Sequence, residues 1–414
     1  MTRSVSAFAL LFVSHLLATP GLLFAGDDIT FEVRRLAVDA NEGIAAADVN
    51  GDGKPDLVAG RFWYQNPEWS ARPLRNIDDW NGYVQSNGDY VFDVNRDGRP
   101  DVVAGSFLPS EVHWYENPGS RGLRLGQLWK QHLLADTGQT RNEGILFEDI
   151  DGDGTPEWVA NSWAKDVPMQ IGRLLPVAPS TATATEKEKQ QAKSNAAYEL
   201  VTHMIGDRGN GHGCGIGDLN GDGRKDVLVG QGWYEQPADP WRGRWKFHPI
   251  WDLHASLPML VVDVNGDGHN DIIHGKGHDY GLMWWENKGA SSESGGEIEF
   301  EEHMIDQEFS QPHSLAWGDL TGDGKPELIT GKRYYAHNGG DPGGESLPRM
   351  YFYTLDQDTQ KFTRHTIEEG TVGTGLQIVV EDFNGDGRND IAVAGKSGTH
   401  LLLNRVRADQ VSAN

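Results

Sequence analysis

The chain has 414 residues, of which 37% are hydrophobic, and it carries a formal net charge of -25 at pH 7. Such acidity disfavours nucleic acid and anionic membranes as partners. The single cysteine, Cys214, excludes an internal disulfide and leaves the fold to be held by other means.

The N-terminal segment predicts export. Residues 1–25 read MTRSVSAFALLFVSHLLATPGLLFA, with Arg3 before a short apolar run and the small Ala25 at the end. This is the pattern of a cleaved signal peptide, and the run is short for a membrane span, although an uncleaved anchor is the alternative. We find no other transmembrane candidate and expect a secreted or periplasmic protein in which residues 26–414 form one domain.

A nine-residue pattern then recurs along the chain and predicts a repeat architecture. Its seven copies are DVNGDGKPD (48–56), DVNRDGRPD (93–101), DIDGDGTPE (149–157), DLNGDGRKD (218–226), DVNGDGHND (263–271), DLTGDGKPE (319–327) and DFNGDGRND (382–390). Variable loops between constant cores explain the unequal spacing of the copies.

Each copy has the chemistry of a loop that binds a hard cation. Side-chain oxygens stand at positions 1, 3, 5 and 9, with a turn glycine at position 6, and calcium suits this set better than magnesium. The glutamate that an EF-hand carries at position 12 is missing, since Ala59 and Val229 stand there in two copies. A solvated acidic turn is the alternative, favoured most in the sixth copy, where Thr321 occupies position 3. We therefore expect up to seven structural Ca²⁺ ions.

The predicted calcium ligands are the following side chains: Asp48, Asn50, Asp52, Asp56, Asp93, Asn95, Asp97, Asp101, Asp149, Asp151, Asp153, Glu157, Asp218, Asn220, Asp222, Asp226, Asp263, Asn265, Asp267, Asp271, Asp319, Asp323, Glu327, Asp382, Asn384, Asp386 and Asp390.

Four strand signals recur around each loop and predict an all-β chain. An apolar strand A leads into the loop, a β-branched strand B leaves it, and an aromatic strand C and a charged strand D follow. The last unit lacks a strand D, whereas FEVRRLAV (31–38) has that pattern with no unit before it. We expect a seven-bladed β-propeller of four-stranded antiparallel blades whose N-terminal strand completes the last blade.

The repeats resemble those of the FG-GAP or VCBS propellers, a family that includes the integrin α-subunit propeller and certain fungal lectins. GIGDLNGDGRKDVLVG (215–230) and AWGDLTGDGKPELITG (316–331) carry the resemblance best. It implies the propeller fold and cation ligands at the matching loop positions, but no single function.

Strand direction places all seven cation loops on one face of the ring, so a functional mouth is expected on the opposite face. The insert at 179–197 belongs to the cation face, whereas the Gly-rich segment 336–349 belongs to the mouth, where we expect a lid. Strand A starts there, six residues before each motif aspartate, at Glu42, Asn87, Glu143, His212, Leu257, His313 and Leu376.

Imidazoles and carboxylates at this mouth predict a second kind of metal site. We expect His212, His313, Glu143 and Glu42 to bind Zn²⁺ or another transition metal. A solvated channel lined by ordinary polar residues is the alternative. Cys214 is expected to be a small core residue, and the strand D histidines are expected to have packing or surface roles.

A closer resemblance concerns GHGCGIGDLNGDGRKDVLVGQGWYEQP (211–237) and HGKGHDYGLMWWEN (274–287), which are similar to the propeller part of aldos-2-ulose dehydratases. The cupin-like domains of the fungal enzyme are absent here. The resemblance implies a metal centre and β-elimination from a keto-sugar or keto-glycoside.

That reaction needs a base, an acid and groups that hold the substrate oxygens. Our hypothesis assigns His278 or His254 to general base or acid, Tyr280 to proton donation, and Lys276 or Lys332 to substrate oxygens. A sugar-binding lectin and a protein-interaction scaffold are the alternatives from other functional classes.

Overall fold

Seven four-stranded antiparallel sheets make up most of the regular structure of the computed structural model. The structure describes residues 29–164, 167–177, 198–208, 211–290 and 296–406. The predicted signal peptide (1–25) and the insert at 179–197 lie outside the described residues. The described part contains no helix with the length and apolar character that a membrane span needs.

The strands follow one another blade by blade along the chain. After the N-terminal strand β1 (Ile29–Ala37), blade 1 contains β2 (Ala45–Ala47), β3 (Asp56–Ala59), β4 (Phe62–Gln65) and β5 (Ser70–Pro73). A short hairpin follows, formed by β6 (Asp79–Trp80) and β7 (Tyr83–Val84). Blade 2 contains β8 (Gly88–Phe92), β9 (Asp101–Gly105), β10 (Glu111–Glu116), helix α1 (Gly119–Arg124) and β11 (Lys130–Asp136). Blade 3 contains β12 (Asn142–Glu148), β13 (Glu157–Ser162), β14 (Gln170–Pro176) and β15 (Tyr198–Met204).

The remaining four blades repeat this order. Blade 4 contains β16 (Cys214–Gly217), β17 (Asp226–Val229), β18 (Gly232–Glu235) and β19 (Lys246–His248). Blade 5 contains β20 (Leu260–Val262), β21 (Asp271–Gly275), β22 (Tyr280–Ala290) and β23 (Ile298–Ser310). Blade 6 contains β24 (Pro312–Gly318), β25 (Glu327–Lys332), a 3₁₀ helix (Ala336–Gly339), β26 (Arg349–Asp356) and β27 (Lys361–Glu369). Blade 7 contains β28 (Ile378–Glu381), β29 (Asp390–Gly395) and β30 (Gly398–Val406).

The N-terminal strand closes the ring. β1 pairs antiparallel with β30, from Ile29 opposite Val406 to Ala37 opposite Thr399, and the last sheet has the order β1-β30-β29-β28. Both the seven-bladed propeller and its closure by the first strand are thereby confirmed.

The nine-residue loops join strand A to strand B in every blade. In the first loop, the Asp48 carboxylate accepts hydrogen bonds from the backbone N–H groups of Gly51, Asp52 and Gly53. Gly51 and Gly53 have φ values of 78° and 86°, which glycine adopts without strain. The first half of the loop is therefore a tight turn around a carboxylate.

The carboxylate at position 9 of each loop is buried, as Asp271 shows. It accepts hydrogen bonds from the backbone N–H groups of Val264, at position 2 of the loop, and Asn287, on strand C. The Asn287 side chain in turn donates to the carbonyl oxygen of Leu219, at position 2 of the preceding blade's loop. Each such amide therefore links two neighbouring blades through the base of a nine-residue loop.

Six side-chain amides make this interblade bond, with N···O distances of 2.7 to 3.2 Å: Asn66 to Phe383, Asn117 to Val49, Gln236 to Ile150, Asn287 to Leu219, Gln357 to Val264, and Asn404 to Leu320. The seventh position uses a backbone donor, the N–H of Tyr198, which lies 3.3 Å from the Val94 carbonyl oxygen.

The hydrophobic core lies between neighbouring blades. Trp63 of blade 1 packs in one cluster with Val102 of blade 2, and Trp233 of blade 4 packs with Ile272 of blade 5. Four strand D histidines pack on strand C aromatic rings, as His248 does on Trp233 with centroids 4.0 Å apart, whereas His203 meets Trp241 edge-on. Packing therefore occupies the blade interfaces and leaves the channel mouth available for other chemistry.

Candidate metal centre

The candidate site lies at the mouth opposite the nine-residue loops. Glu143 stands at the start of β12, His313 at the start of β24, and His212 two residues before β16. His278 and Arg333 come from the connections between strands B and C of blades 5 and 6. Because every one of these positions is at the same end of its blade, five distant parts of the chain meet there.

Three imidazoles and one carboxylate converge. Ligand atoms of Glu143, His212, His278 and His313 all lie within 4.8 Å of one another. His212 Nε2 is 2.7 Å from His278 Nε2, 3.2 Å from His313 Nε2 and 3.4 Å from Glu143 Oε1. This set of nitrogen and oxygen donors suits zinc and neighbouring transition metals.

The outer hydrogen bonds fix which ring nitrogens carry protons. His212 Nδ1 lies 2.6 Å from the carbonyl oxygen of Ala255, and His278 Nδ1 lies 3.0 Å from Asp341 Oδ2. Since both partners accept, both Nδ1 atoms donate, and the two Nε2 atoms then face each other. Histidine ligands of metals are oriented in this way, with the second ring nitrogen bound to an acceptor.

Burial favours the neutral forms of His278 and His313. It lowers the pKa of His278 to about 4, with a further contribution from neighbouring His212. Burial also holds the pKa of His313 well below its usual range, and the charge of Arg333 acts in the same direction. Neutral imidazole is the form that binds a metal ion.

Arg333 supplies the charge that balances the two buried glutamates. Its Nε and Nη2 lie 2.7 and 2.8 Å from the two carboxylate oxygens of Glu42, and Nη1 lies 3.2 Å from Glu143 Oε1. Nη1 also lies 3.0 Å from His313 Nε2, a contact that a metal ion bound by that nitrogen would replace. Burial alone would raise the pKa of Glu143, but His212, His313 and Arg333 hold it well below its usual range. The carboxylate that faces the imidazoles is therefore ionised.

The connection between β25 and β26 lies beside the cluster. Lys332 is fully buried, and its Nζ binds the carbonyl oxygens of Gly343 and Gly344. The same segment supplies Asp341, which accepts from His278, and His337, whose ring stacks on His278 with centroids 4.6 Å apart. The predicted lid (336–349) thus contributes side chains to the site itself.

A pocket of about 140 Å³ opens next to the cluster. Glu42, Glu143, Arg333 and His337 line it on one side. The opposite wall and the rim consist of aromatic, apolar and amide side chains, namely Trp80, Asn81, Tyr83, Val84, Gln85, Asn87, Ser106, Phe107 and Leu108. Glu143 belongs to both the pocket and the imidazole cluster.

A second cavity, of about 440 Å³, borders the other side of His278. His254 and Lys276 line it together with His274. The His254 ring also lies parallel to His212, with centroids 6.0 Å apart. These two predicted residues therefore face a different cavity from Glu143.

Four predicted residues occupy positions that differ from the hypothesis. Glu42 binds Arg333 with both oxygens and stands outside the four-residue cluster, whereas His278 joins that cluster. Lys332 anchors the lid segment and does not face the pocket. Tyr280 is partly exposed, and its hydroxyl lies beside Gly343.

Sequence reasoning missed the pair formed by His337 and Asp341. His337 Nδ1 lies 3.1 Å from Asp341 Oδ1, and the His337 side chain is 55% exposed. The pair comes from an insertion with no counterpart in the other blades, so repeat spacing gave no signal for it. A histidine four residues before an aspartate in a Gly-rich segment on the functional face is the one signal available. Cys214, by contrast, is fully buried, and burial raises the pKa of its thiol to about 12.

These features define a seven-bladed β-propeller with a buried cluster of histidines and a glutamate at the mouth. The FG-GAP-like repeat model matches residues 93–160 and 263–330, and the FG-GAP repeat model matches residues 40–61. The chain is thus a propeller that contains FG-GAP repeats. None of the curated proteins compared with the chain matches it.

Solved structures with a similar shape share little sequence with this chain. Sqt1 from Saccharomyces cerevisiae is 10% identical, with a TM-score of 0.47, over 93% of this chain and 100% of that one. The exotype rhamnogalacturonan lyase YesX is 12% identical, with a TM-score of 0.47, over 90% of this chain and 72% of that one. The extracellular domain of the putative hybrid two component system BT4673 from B. thetaiotaomicron is 12% identical, with a TM-score of 0.46, over 90% of this chain and 39% of that one. Because these TM-scores are below 0.5, the similarities support no conclusion about function.

Proposed function

We propose that the chain is a metal-dependent carbon–oxygen lyase that eliminates a leaving group from a keto-sugar or keto-glycoside. One observation carries the proposal: the Nε2 atoms of His212, His278 and His313 converge with the ionised Glu143 carboxylate at the mouth of the propeller. Ordinary packing does not require such a cluster, and its donor set is that of a catalytic transition-metal centre.

The ligand set fits the chemistry of β-elimination. A divalent metal held there would act as a Lewis acid toward a carbonyl oxygen and so favour loss of the neighbouring proton. His212 and His278 are held by Ala255 and Asp341, so their rings are oriented before any ligand arrives. Preorganisation of this kind supports a catalytic role.

His337 is suited to proton transfer in this pocket. Its ring lines the pocket that Glu143 shares, and its Nδ1 is bound to Asp341. Because Nδ1 donates to the carboxylate, Nε2 is left with the lone pair that a general base uses. We assign proton transfer at the substrate carbon to His337 and orientation of its ring to Asp341.

The seven nine-residue loops belong to the same proposal as structural calcium sites in an exported protein. Their carboxylates and turn glycines fit the cation. The interblade amide bonds start at the bases of these loops, so cation binding would stiffen the contacts between blades. Structural calcium sites of this kind would suit a secreted or periplasmic chain whose single cysteine cannot form an internal disulfide.

Metal analysis tests the proposal. Purified protein should hold calcium and about one transition metal ion per chain, and the double variant His212→Ala/His313→Ala should lose the transition metal while keeping its calcium. The double variant His132→Ala/His303→Ala, on the outer strands of blades 2 and 5, is the matched control and should keep both metals.

Activity is measured as enone absorbance on incubation with 3-keto-glucosides and 2-keto-sugars. The wild type and the outer-strand control should produce the enone, and the mouth variant should not. Calcium alone, with no enone from any of these substrates, would refute the lyase and favour a sugar-binding lectin or an interaction scaffold.

A further inference from the structure

The hairpin β6–β7 forms an aromatic wall of the pocket. Among the described residues, it is the one pair of strands that lies outside the seven blades. Trp80 stacks on Phe107, with ring centroids 5.8 Å apart and an interplanar angle of 23°. Trp80 is nevertheless 42% exposed and neighbouring Leu108 is 40% exposed. A large apolar surface is therefore presented to the pocket.

This wall is fixed in place before any ligand binds. Arg61 holds the start of the hairpin through the carbonyl oxygen of Ile77 and the carboxylate of Asp79. At the tip, Asn81 Oδ1 accepts a hydrogen bond from Asn338 of the lid segment, at 3.1 Å. Because the wall is already fixed, binding of a ligand to it costs little conformational entropy.

The rim of the pocket favours a neutral, polar ligand. The amide side chains of Asn81, Gln85 and Asn87 line it and can donate to and accept from hydroxyl groups. A flat apolar wall beside a few polar groups is the usual setting for a sugar ring, whose faces are apolar and whose edges carry hydroxyls.

The charges at the floor disfavour an anionic ligand. Arg333 is the one guanidinium in the lining, and both Glu42 and Glu143 already bind it. In the lining itself the two carboxylates outnumber this single guanidinium, and the nearby Lys396 ammonium packs over the Tyr83 ring and donates to Asn338 Oδ1. Burying a uronate carboxylate beside the two glutamates would be unfavourable.

We propose that the wall of Trp80 and Phe107 is a subsite for the uncharged leaving-group ring of a glycoside. The substrate is then a neutral keto-glycoside, and neither a free monosaccharide nor a uronate. The assignment of the bound ring as leaving group rests on the lyase function proposed above. In that reaction the C–H bond beside the carbonyl and the β C–O bond break and a C=C bond forms. The proton lost from carbon ends on the departing oxygen, so an enone and an alcohol are released without a further reactant.

Binding measurements test the subsite without relying on catalysis. The protein is used with its calcium but without transition metal, and phenyl glucoside, phenyl glucuronide and glucose are titrated by calorimetry. We expect phenyl glucoside to bind at least about tenfold more tightly than the other two, because stacking and apolar burial together are worth about 1.4 kcal/mol or more.

Single substitutions show which side chains contribute to the binding of phenyl glucoside. Trp80→Ala should weaken phenyl glucoside binding at least about tenfold, whereas Trp80→Phe, which keeps a ring, should stay within about threefold of the wild type. The control is Trp163→Ala, since Trp163 is 50% exposed in the connection between strands B and C of blade 3 but does not line the pocket. It should bind all three ligands as the wild type does.

The outcomes separate the subsite from the lyase. Unchanged binding in Trp80→Ala, an equal loss in Trp163→Ala, or glucuronide binding as tight as that of the glucoside would overturn the subsite. Binding through Trp80 in a protein that yields no enone would instead refute the lyase and leave the subsite as that of a lectin. Enone formation from keto-glycosides at a rate that Trp80→Ala does not change would overturn the leaving-group assignment alone.

Discussion

Without bound cations, the propeller should become less stable as the pH rises. The carboxyl at position 9 of each loop is buried beneath other acids. Burial is the main cause that raises the pKa of Asp56, Asp271 and Asp390 to about 6. It raises the pKa to about 7 for Asp101, Asp226 and Glu327 and to about 8 for Glu157. Without cations, the folded chain therefore prefers these groups protonated.

The sign of the effect follows from the unfolded state, where carboxyl groups titrate near pH 4. Stability from a raised pKa is fully present below that value and is lost as the pH rises through the folded-state pKa, here between about 6 and 8. For Asp271, a rise from 3.8 to about 6 corresponds to at most about 3 kcal/mol. Because water reaches the loop, we expect about 1 to 3 kcal/mol per loop.

Thermal unfolding in a chelator and in calcium measures this dependence. In the chelator, the midpoint temperature should fall by at least about 5 °C between about pH 5 and pH 8. Calcium should abolish the fall, because it favours the ionised carboxylates, so its stabilising effect should grow with pH. Asp271→Asn, which cannot ionise, should reduce the pH dependence in the chelator, whereas the exposed control Asp358→Asn should not. A midpoint that does not change with pH in the chelator would refute the reasoning.

Two further predictions concern buried polar contacts. Asn287→Ala leaves the Leu219 carbonyl without its interblade donor and should reduce the free energy of unfolding by about 1 to 3 kcal/mol in urea titrations; no measurable loss would show that this bond does not hold the blades together. Arg333→Met leaves the buried Glu42 unpaired and should cost about 3 to 5 kcal/mol. Adding Glu42→Gln should recover part of that loss, and failure to recover any would place the cost elsewhere.

The architecture could be predicted because each repeat unit independently indicates the strand order of one blade. Each nine-residue loop fixes where strand A ends and strand B begins, so seven loops fix seven blades. The closing strand was also predictable, since the last unit lacked a strand D and the first residues supplied one. The interblade amides were not predicted, because an asparagine at the end of strand C looks like an ordinary turn residue until its partner in the next blade is known.

The site could be predicted only where the repeat controls it. Glu143, His212 and His313 occupy the same position relative to their loops, so repeat spacing alone brings them to one mouth. The pairing of Glu42 with Arg333 joins residues 291 positions apart, and the choice between metal ligand and ion pair depends on side-chain direction. His337 and Asp341 come from an insertion, to which no repeat assigns a place.

The repeat also shows that the fold does not require charge at the mouth. Leu257 and Leu376 occupy the positions equivalent to Glu143, His212 and His313 in blades 5 and 7, and they are 3% and 4% exposed. A leucine therefore fills that position without disturbing the blade. Burying carboxylates and a guanidinium costs free energy that their pairing only partly recovers, and apolar replacements are often as stable. Polar groups that the fold can replace with leucine, and that nevertheless converge on one point, support the proposed metal site.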